Sequence, residues 1–146
     1  MSAFQAFNIS ASGLTAQRFR TDIIAENIAN VNTTRTQDGT PYRRQIVTFK
    51  EKDVTDFSQI LRHTRNAAVG NGVKVDTLTH DYDSDFVMAY DPSHPDADEN
   101  GYVSYPNVNI VTEMTNLIDA SRSYEANATA FGASKSMMTT GLNLGK

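Results

Sequence analysis

The chain has 146 residues and a mass of 16.1 kDa, which fits one domain with or without attached elements and excludes a large multidomain enzyme. With 39% hydrophobic and 21% charged residues, a core can form and a wholly disordered chain is excluded. The absence of cysteine excludes disulfides, thiolate nucleophiles and cysteine-ligated zinc, and the net charge of −4 argues against a nucleic-acid partner.

The first predicted element is an amphipathic helix within residues 1–34. Mostly apolar side chains recur every three or four residues from Phe4 to Ile28, with Arg18 interrupting the pattern, and Ser10 or Ser12 is a candidate N-cap. The first residues carry no basic cluster and no unbroken apolar run, so we expect no cleaved signal peptide. No stretch of the chain reaches the ~18 consecutive apolar residues of a spanning helix, so we expect no direct membrane insertion.

The central segment, residues 35–107, is predicted to form a small β-rich domain. Its β-branched and aromatic runs predict four strands, at Gln45–Phe49, Val73–Thr79, Phe86–Tyr90 and Tyr102–Tyr105. The Asn100-Gly101 pair predicts a type I′ hairpin turn. Phe57, Ile60 and Leu61 indicate a short helix or an apolar loop.

Acidic residues are concentrated in segment 76–99, which contains eight of them and no Lys or Arg. Such a segment is solvated, faces a cation or faces a basic partner. Residues 96–101 match the first six positions of an EF-hand loop, but Asn107 stands where the loop requires a bidentate glutamate. A calcium-dependent binding or adhesion module using segment 76–99 is therefore the alternative functional hypothesis.

The last predicted element is a long helix from about Val108 to Leu142, within the C-terminal segment 108–146. Its a/d seam spans more than four heptads: Ile110, Met114, Leu117, Ser121, Tyr124, Ala128, Phe131, Lys135, Met138 and Leu142. A helix of this length is ~50 Å long, too long for a chain of this size to cover, so it requires a partner helix. Pairing of the two terminal helices as a coiled coil, with the β-rich segment between them, gives an α+β fold.

Small residues dominate the second half of this helix, since Ala, Ser, Thr and Gly occupy 14 of the 22 positions in segment 120–141. Such a surface allows close backbone approach on several sides, as in an assembly where each helix is surrounded by others. The alternative is a loosely packed or partly disordered tail.

One basic and aromatic cluster, Tyr42-Arg43-Arg44, precedes the first predicted strand. It suits a phosphate backbone, the acidic segment of a neighbouring copy, or a solvated strand end. We include Arg43 and Arg44, with Arg122, as candidate inter-subunit charge contacts. The chain has no nucleophile elbow, no phosphate-binding glycine loop and no metal-ligand spacing among its three histidines, so we expect no enzymatic activity and no cofactor.

Three sets of motifs together resemble a known family. The N-terminal set is Ser12-Gly13-Leu14 with the run from Ala25 to Thr33, and the C-terminal set runs from Glu113 through Ala120–Asn127 to Met138. The middle set comprises Gly39–Arg44, Gly72–Val75, Asp91–Asp98, Gly101–Val103 and Pro106–Val108. The chain resembles the bacterial flagellar rod and hook axial proteins, and within them the proximal-rod members.

The resemblance implies a structural subunit of the flagellar basal-body rod, which spans the periplasm and transmits motor torque to hook and filament. Such a subunit is exported through the flagellar type III apparatus and assembles helically, through its terminal helices, with itself, other rod subunits and neighbouring basal-body components. The expected assembly interface comprises Leu14, Ile24, Asn27, Ile28, Asn30, Ile110, Met114, Leu117, Tyr124, Asn127, Phe131, Met138 and Leu142. We also expect Asn27, Asn30 and Asn127 to form hydrogen bonds between helices.

Overall fold

The structure is a computed structural model that describes residues 3–52 and 70–144, with side chains described from residue 5. The elements in chain order are α1 (Ala3–Ala29), β1 (Gln45–Glu51), β2 (Val73–His80), β3 (Val87–Tyr90), β4 (Tyr102–Tyr105) and α2 (Ile110–Asn143). This arrangement confirms the α+β class. The short helix or loop predicted at Phe57–Leu61 lies outside the described residues.

Helix α1 starts before either predicted cap, so the prediction that Ser10 or Ser12 begins the helix is wrong. Ser12 lies inside the helix, where its hydroxyl donates to the carbonyl of Ile9 at 2.7 Å. This bond to the preceding turn satisfies the hydroxyl without interrupting the backbone ladder. A serine in the first half of a helical pattern is therefore compatible with an interior position as well as with a cap.

The four strands form two separate two-stranded sheets, β1 with β2 and β3 with β4. In the second sheet the strands are antiparallel, with Val87 opposite Tyr105 and Tyr90 opposite Tyr102. Each predicted strand is confirmed to within two residues at either end. Local signals suffice here because alternating β-branched residues and glycine-containing turns mark strands over short stretches.

The type I′ prediction for Asn100-Gly101 is wrong. That turn requires a positive φ at both central residues, and among the described residues only glycines have one, Gly101 at +81°. Asp98 organises the turn instead: its carbonyl accepts from the amide of Gly101 at 3.0 Å, and its carboxylate accepts from the amide of Tyr102 at 2.8 Å. The loop thus uses an aspartate-capped turn that leads into β4.

Helix α2 confirms the predicted C-terminal helix to within two residues at each end. Its N-cap is Asn109, whose side-chain oxygen accepts from the amides of Val111 at 3.0 Å and Thr112 at 3.2 Å. No helix in the described ranges 3–52 and 70–144 is long and apolar enough to cross a membrane.

The chain divides into two compact units. Unit 1 comprises residues 1–19, 48–77 and 120–146, and unit 2 comprises residues 20–47 and 78–119. The fully or nearly buried residues of unit 1 include Ala16 and Ala120, and those of unit 2 include Ile23, Ile24, Tyr42, Val103 and Val108. Each unit thus combines parts of both helices with part of the β structure.

Candidate functional site

In unit 1, the Ser12-Gly13 pair of the N-terminal motif contacts both β2 and α2. The Ser12 hydroxyl oxygen accepts from the amide of Val73 at 3.0 Å, where β2 begins. Gly72 has φ +90°, and a Cβ there would clash with the Ser12 hydroxyl. Only glycine satisfies both the backbone conformation and the close approach, so Ser12 and Gly72 together fix the start of β2 on α1.

Gly13 allows a close approach between the two helices in unit 1. A Cβ at this position would lie 2.7 Å from the side-chain oxygen of Asn127. Nearby, the rings of Phe7 and Phe131 meet edge to face with their centroids 4.9 Å apart. The partner residue number falls from 131 to 127 as the α1 number rises, so the helices run antiparallel in this unit.

Unit 2 contains a buried polar cluster centred on Asn27, a residue of the second half of the N-terminal motif. Its amide nitrogen donates to the carbonyl of Gln45 at 2.9 Å and to the carboxylate of Glu113 at 3.2 Å. Its oxygen accepts from the Tyr42 hydroxyl and from the Gln45 amide, both at 2.9 Å. Asn27 is 1% exposed, and all four of its hydrogen-bonding positions are occupied.

Glu113 is the acidic member of this cluster and is also 1% exposed. Its Oε1 atom accepts from the Arg44 Nε atom at 2.9 Å and lies 2.7 Å from an Nη atom of the same guanidinium. This ion pair compensates the burial of the negative charge. Through Asn27, Glu113 joins the first turn of α2 to the C-terminal turns of α1. Through Arg44, it joins the same turn of α2 to the residue before β1.

Asp81 extends the cluster beyond Arg44. Its amide donates to the Arg44 carbonyl at 2.8 Å, and its carboxylate lies 3.6 Å from the guanidinium. Burial alone would raise the pKa of this carboxyl, but hydrogen bonds from Ser84 and Asp83 and the charge of Arg44 outweigh burial and lower it. Asn107 donates to the Asp81 carbonyl at 3.0 Å and accepts from the Arg44 amide at 2.9 Å.

Tyr42 is a further member of the cluster, and its hydroxyl donates to the Asn27 side-chain oxygen. Burial raises the pKa of its hydroxyl to about 12, and the negative charges of Glu26 and Glu113 act in the same direction. The hydroxyl therefore stays protonated over the physiological range and remains a donor to Asn27.

Arg43 points to a different environment from its neighbour Arg44. Its guanidinium carbon lies 4.8 Å from the ring centre of Tyr82 and 4.3 Å from that of Phe86. It also donates to the carbonyl of Asp81 at 2.8 Å. Both arginines of the predicted cluster are therefore used within unit 2, and a role for them between copies stays a prediction.

The exposed apolar residues of α2 in unit 2 form a stripe on one side of the helix. We call Ile110, Val111, Met114 and Ile118 the outer stripe; their exposed fractions are 45%, 73%, 54% and 52%. Their spacing of one, three and four residues places them within about a quarter of the helix circumference. Glu113, Leu117 and Ala120 are covered on another side. The outer stripe is a surface suited to protein contact.

The structure divides the predicted interface residues between covered and exposed positions. The buried ones are Ile24 and Asn27, and the half-buried ones are Leu14, Ile28, Asn30, Leu117, Asn127, Phe131 and Met138. The exposed ones are Ile110, Met114, Tyr124 and Leu142, and Arg122 is exposed as well. The interface assignment itself stays a prediction.

Of the three asparagines expected to bond between helices, Asn27 is the one that does so among the residues that the structure describes. Asn30 donates to the carbonyl of Glu26 at 3.0 Å, and Asn127 donates to the carbonyl of Ser123 at 2.8 Å. Both bonds connect residues four apart on the same segment. Within the described ranges, neither asparagine makes the interhelical bond expected of it, and each amide instead donates to a carbonyl of the preceding turn.

The acidic segment shows no support for the calcium hypothesis. Within ranges 3–52 and 70–144, no group of three or more His, Cys, Asp or Glu side chains is arranged to hold a metal ion. The carboxylate of Asp96 instead accepts from the Thr34 hydroxyl at 2.9 Å and lies 3.5 Å from Arg35, while that of Asp98 caps its own turn. In these contacts Asp96 ties the segment to residues 34 and 35, and Asp98 stabilises the turn that leads into β4.

Sequence reasoning missed Ser12, Tyr42 and Glu113 as site residues, and missed Val111 and Ile118 of the outer stripe. Glu113 lies in the first turn of a helix, where acidic residues are common because of the helix dipole, so its position gives no signal of a buried partner. Val111 and Ile118 directly follow the seam residues Ile110 and Leu117 in sequence, so they lie about 100° around the helix from the predicted seam. The hydroxyl of Ser12 gives no signal that its partner is the amide of residue 73.

Two family models match the segments that build these contacts. The model "Flagella basal body rod protein" matches residues 7–36, and "Flagellar basal body rod FlgEFG protein C-terminal" matches residues 99–144. The first contains Ser12, Gly13 and Asn27, and the second contains Glu113 and the outer stripe.

Three relatives that match nearly the whole chain carry the same name. The chain is 47% identical to the flagellar basal-body rod protein FlgC of Bacillus subtilis, with 100% of both chains covered. It is 44% identical to FlgC of Borreliella burgdorferi over 97% of each chain, and 39% identical to FlgC of an Escherichia coli O6:H1 strain over 100% of each. The chain therefore belongs to the flagellar basal-body rod protein family.

Proposed function

We propose that the chain is a structural, non-enzymatic subunit of the proximal flagellar rod that assembles helically through its terminal helices and transmits torque. The outer stripe carries this proposal, because four exposed apolar side chains on one helix face are costly in water and gain by burial against a neighbour. Membership of the rod protein family supports the same reading. The alternative calcium module has no supporting observation.

The buried polar cluster supports a mechanical role. Asn27, Arg44 and Glu113 connect α1, the residue before β1 and α2 through hydrogen bonds that fit only one register. A subunit that carries torque must transmit force without its helices sliding past each other. Satisfied buried polar groups oppose sliding because each shift leaves them unpaired.

The assembled state is part of the same proposal. Residues 1–34 and 108–146 form the inner helical domain of the rod and residues 35–107 form the outer domain, with other rod subunits and neighbouring basal-body components as partners. Contacts between different surfaces of neighbouring copies do not close on themselves, so they extend into a helical shaft. Export through the flagellar type III apparatus delivers the chain to a rod that spans the periplasm.

A substitution in the outer stripe tests the proposal. Met114→Asp places a charge in the exposed stripe, and we expect a folded chain that no longer restores motility to cells lacking their own copy. Thr112→Asp is the matched control, since Thr112 is exposed on the same turn but outside the stripe. Circular dichroism of both purified variants checks folding, and electron microscopy of basal bodies checks the rod. Full motility with Met114→Asp, or no rescue by the unaltered chain, would contradict the proposal.

A further inference from the structure

Strand β3 of unit 2 has one edge that no described strand covers, since it pairs with β4 alone among them. The amide of Asp91 donates to the carbonyl of Gly101 at 3.0 Å, so these residues form a hydrogen-bonded pair of the antiparallel ladder. Such pairs alternate with non-hydrogen-bonded ones. Met88 and Tyr90 fall at the non-hydrogen-bonded positions, so their backbone N–H and C=O groups point away from β4. We call this side of β3 the open edge.

The equivalent edge of β4 is occupied by a loop of the same unit. Tyr102, the residue opposite Tyr90, also directs its backbone groups away from the partner strand. Its amide donates to the Asp98 carboxylate, and its carbonyl accepts from the Asp98 amide, each at 2.8 Å. On the open edge, Met88 and Tyr90 form no backbone bond of this kind to another described residue. The hairpin therefore has one closed edge and one open edge.

The side chains of β3 are uncharged and partly uncovered on both sides. Val87 shares a side with the buried Val103 and is itself 56% exposed, whereas Met88 and Tyr90 lie on the other side and are 55% and 68% exposed. Edge strands are commonly protected by a lysine, a proline or a bulge within the strand, and β3 contains none of these. An edge of this kind is a template for a further strand.

Acidic residues flank β3 and determine which strand can pair with it. Asp83 and Asp85 precede the strand and are exposed, and Asp91 follows it. Segment 75–121 contains ten Asp and Glu residues and no Lys or Arg. Two copies of β3 lying side by side would bring their acidic ends together in either direction, which destabilises a strand pair. The flanks thus oppose pairing with a second β3 and favour a strand that has basic ends.

We infer that the open edge of β3 binds an extended segment of another protein, in which an apolar, β-branched centre is flanked by lysine or arginine. The backbone of that segment bonds to the outward N–H and C=O groups of Met88 and Tyr90, and its apolar side chains cover Val87 and Tyr90. Its basic ends lie against the acidic flanks. This contact goes beyond the proposed function, because it is a property of the isolated chain and requires no assembly of copies.

Synthetic peptides test the contact on the purified full chain. The probe is Lys-Lys-Thr-Val-Thr-Val-Thr-Lys-Lys, whose β-branched centre favours a strand and whose lysines match the acidic flanks. One matched peptide has glutamate in place of every lysine. A second keeps the sequence but carries an N-methyl group on every threonine and valine, which removes the backbone donors that a ladder needs. Fluorescence anisotropy of labelled peptides measures binding.

We expect the probe to bind at least about tenfold more tightly than either matched peptide. Amide hydrogen exchange followed by nuclear magnetic resonance locates the contact. Bound probe should slow exchange at the amides of Met88 and Tyr90, while the amide of Ala89, which faces β4, serves as an internal reference.

A pair of charge variants tests the role of the flanks. Asp83→Lys with Asp85→Lys should weaken binding of the probe at least about tenfold. The matched control, Asp22→Lys with Asp119→Lys, makes the same change of charge at exposed positions of α1 and α2 and should bind as the unaltered chain does. Circular dichroism checks that both variants fold.

Several results would overturn the inference. Equal binding of the N-methylated peptide would indicate attraction between charges without strand pairing, and equal binding of the glutamate peptide would remove the selection for basic ends. No binding of the probe to the folded chain would do the same. Slow exchange at Met88 and Tyr90 without any peptide would assign the open edge to the chain itself or to a second copy. None of these measurements involves motility, so a failure of the proposed function stays distinguishable.

Discussion

Asn27→Ala tests whether the buried polar cluster holds unit 2 together. Asn27 is 1% exposed and shares four hydrogen bonds with Tyr42, Gln45 and Glu113. Alanine removes both the amide donors and the carbonyl acceptor. A hydroxyl, a peptide N–H, a peptide carbonyl and a carboxylate oxygen are then left without that partner in a buried space.

The size of the effect follows from these four bonds. A hydrogen bond contributes about 1 kcal/mol net, and a buried polar group left unpaired costs about 1–3 kcal/mol. The space vacated by the amide has room for about one water, which recovers part of the loss. We therefore expect the free energy of unfolding to fall by about 3 kcal/mol.

Urea unfolding of the full chain, followed by far-ultraviolet circular dichroism, measures this loss. With an m-value of about 1.5–2 kcal/mol/M, the midpoint falls by about 1.5–2 M. The matched control is Asn127→Ala, because Asn127 also lies in a helix but, among the described residues, donates to the Ser123 carbonyl alone. We expect the control to lose less than about 1 kcal/mol. Equal losses for the two variants would refute the role assigned to Asn27.

Three further predictions follow from unit 1 and from the titrating groups. Gly132 has open space around it, so Gly132→Ala should stabilise the chain by about 0.5–1 kcal/mol. Gly13→Ala should not give this gain unless Asn127→Ala removes the side chain that a Cβ at Gly13 would meet. A double-mutant cycle measured by urea unfolding tests this coupling. Because folding raises the pKa of Tyr42, its stabilisation is complete below pH ~10 and should be lost towards pH 12, measured by urea midpoints against pH. Because folding lowers the pKa of Asp81, the stabilisation from its carboxylate is present above pH ~4 and should be lost on acidification. In Asp81→Asn the urea midpoint should therefore fall less steeply as the pH is lowered.

The strands could be predicted from sequence because their signals are local. Strand β2 begins after Gly72, whose positive φ and closeness to Ser12 require glycine, and continues as a run of alternating β-branched residues. The helices were equally clear in length. The residue at which each helix starts is harder to predict, because Asn and Ser both favour N-cap positions. Asn109 does cap α2, whereas Ser12 lies inside α1.

The buried polar cluster could not be predicted because its members lie far apart in the chain. Asn27 and Glu113 are separated by 86 positions, and Arg44 and Glu113 by 69. Periodicity arguments cover windows of about 11–18 residues. Within such a window Glu113 is a charge near the start of a helix, where acidic residues are common for the unrelated reason of the helix dipole.

The a/d seam predicted for α2 contains residues that the chain covers and residues that it leaves exposed. Leu117 and Phe131 are partly covered, whereas Ile110 and Met114 are more than 40% exposed. The periodic apolar positions of a helix include every side chain that is shielded from water in the assembled protein. Some of these side chains are covered by a neighbouring copy and not by the chain itself. For a subunit of an assembly, the apolar positions that the isolated chain leaves in water are therefore the informative ones. Substitution at Met114 addresses assembly for this reason, while substitution at Leu117 would alter folding and assembly together.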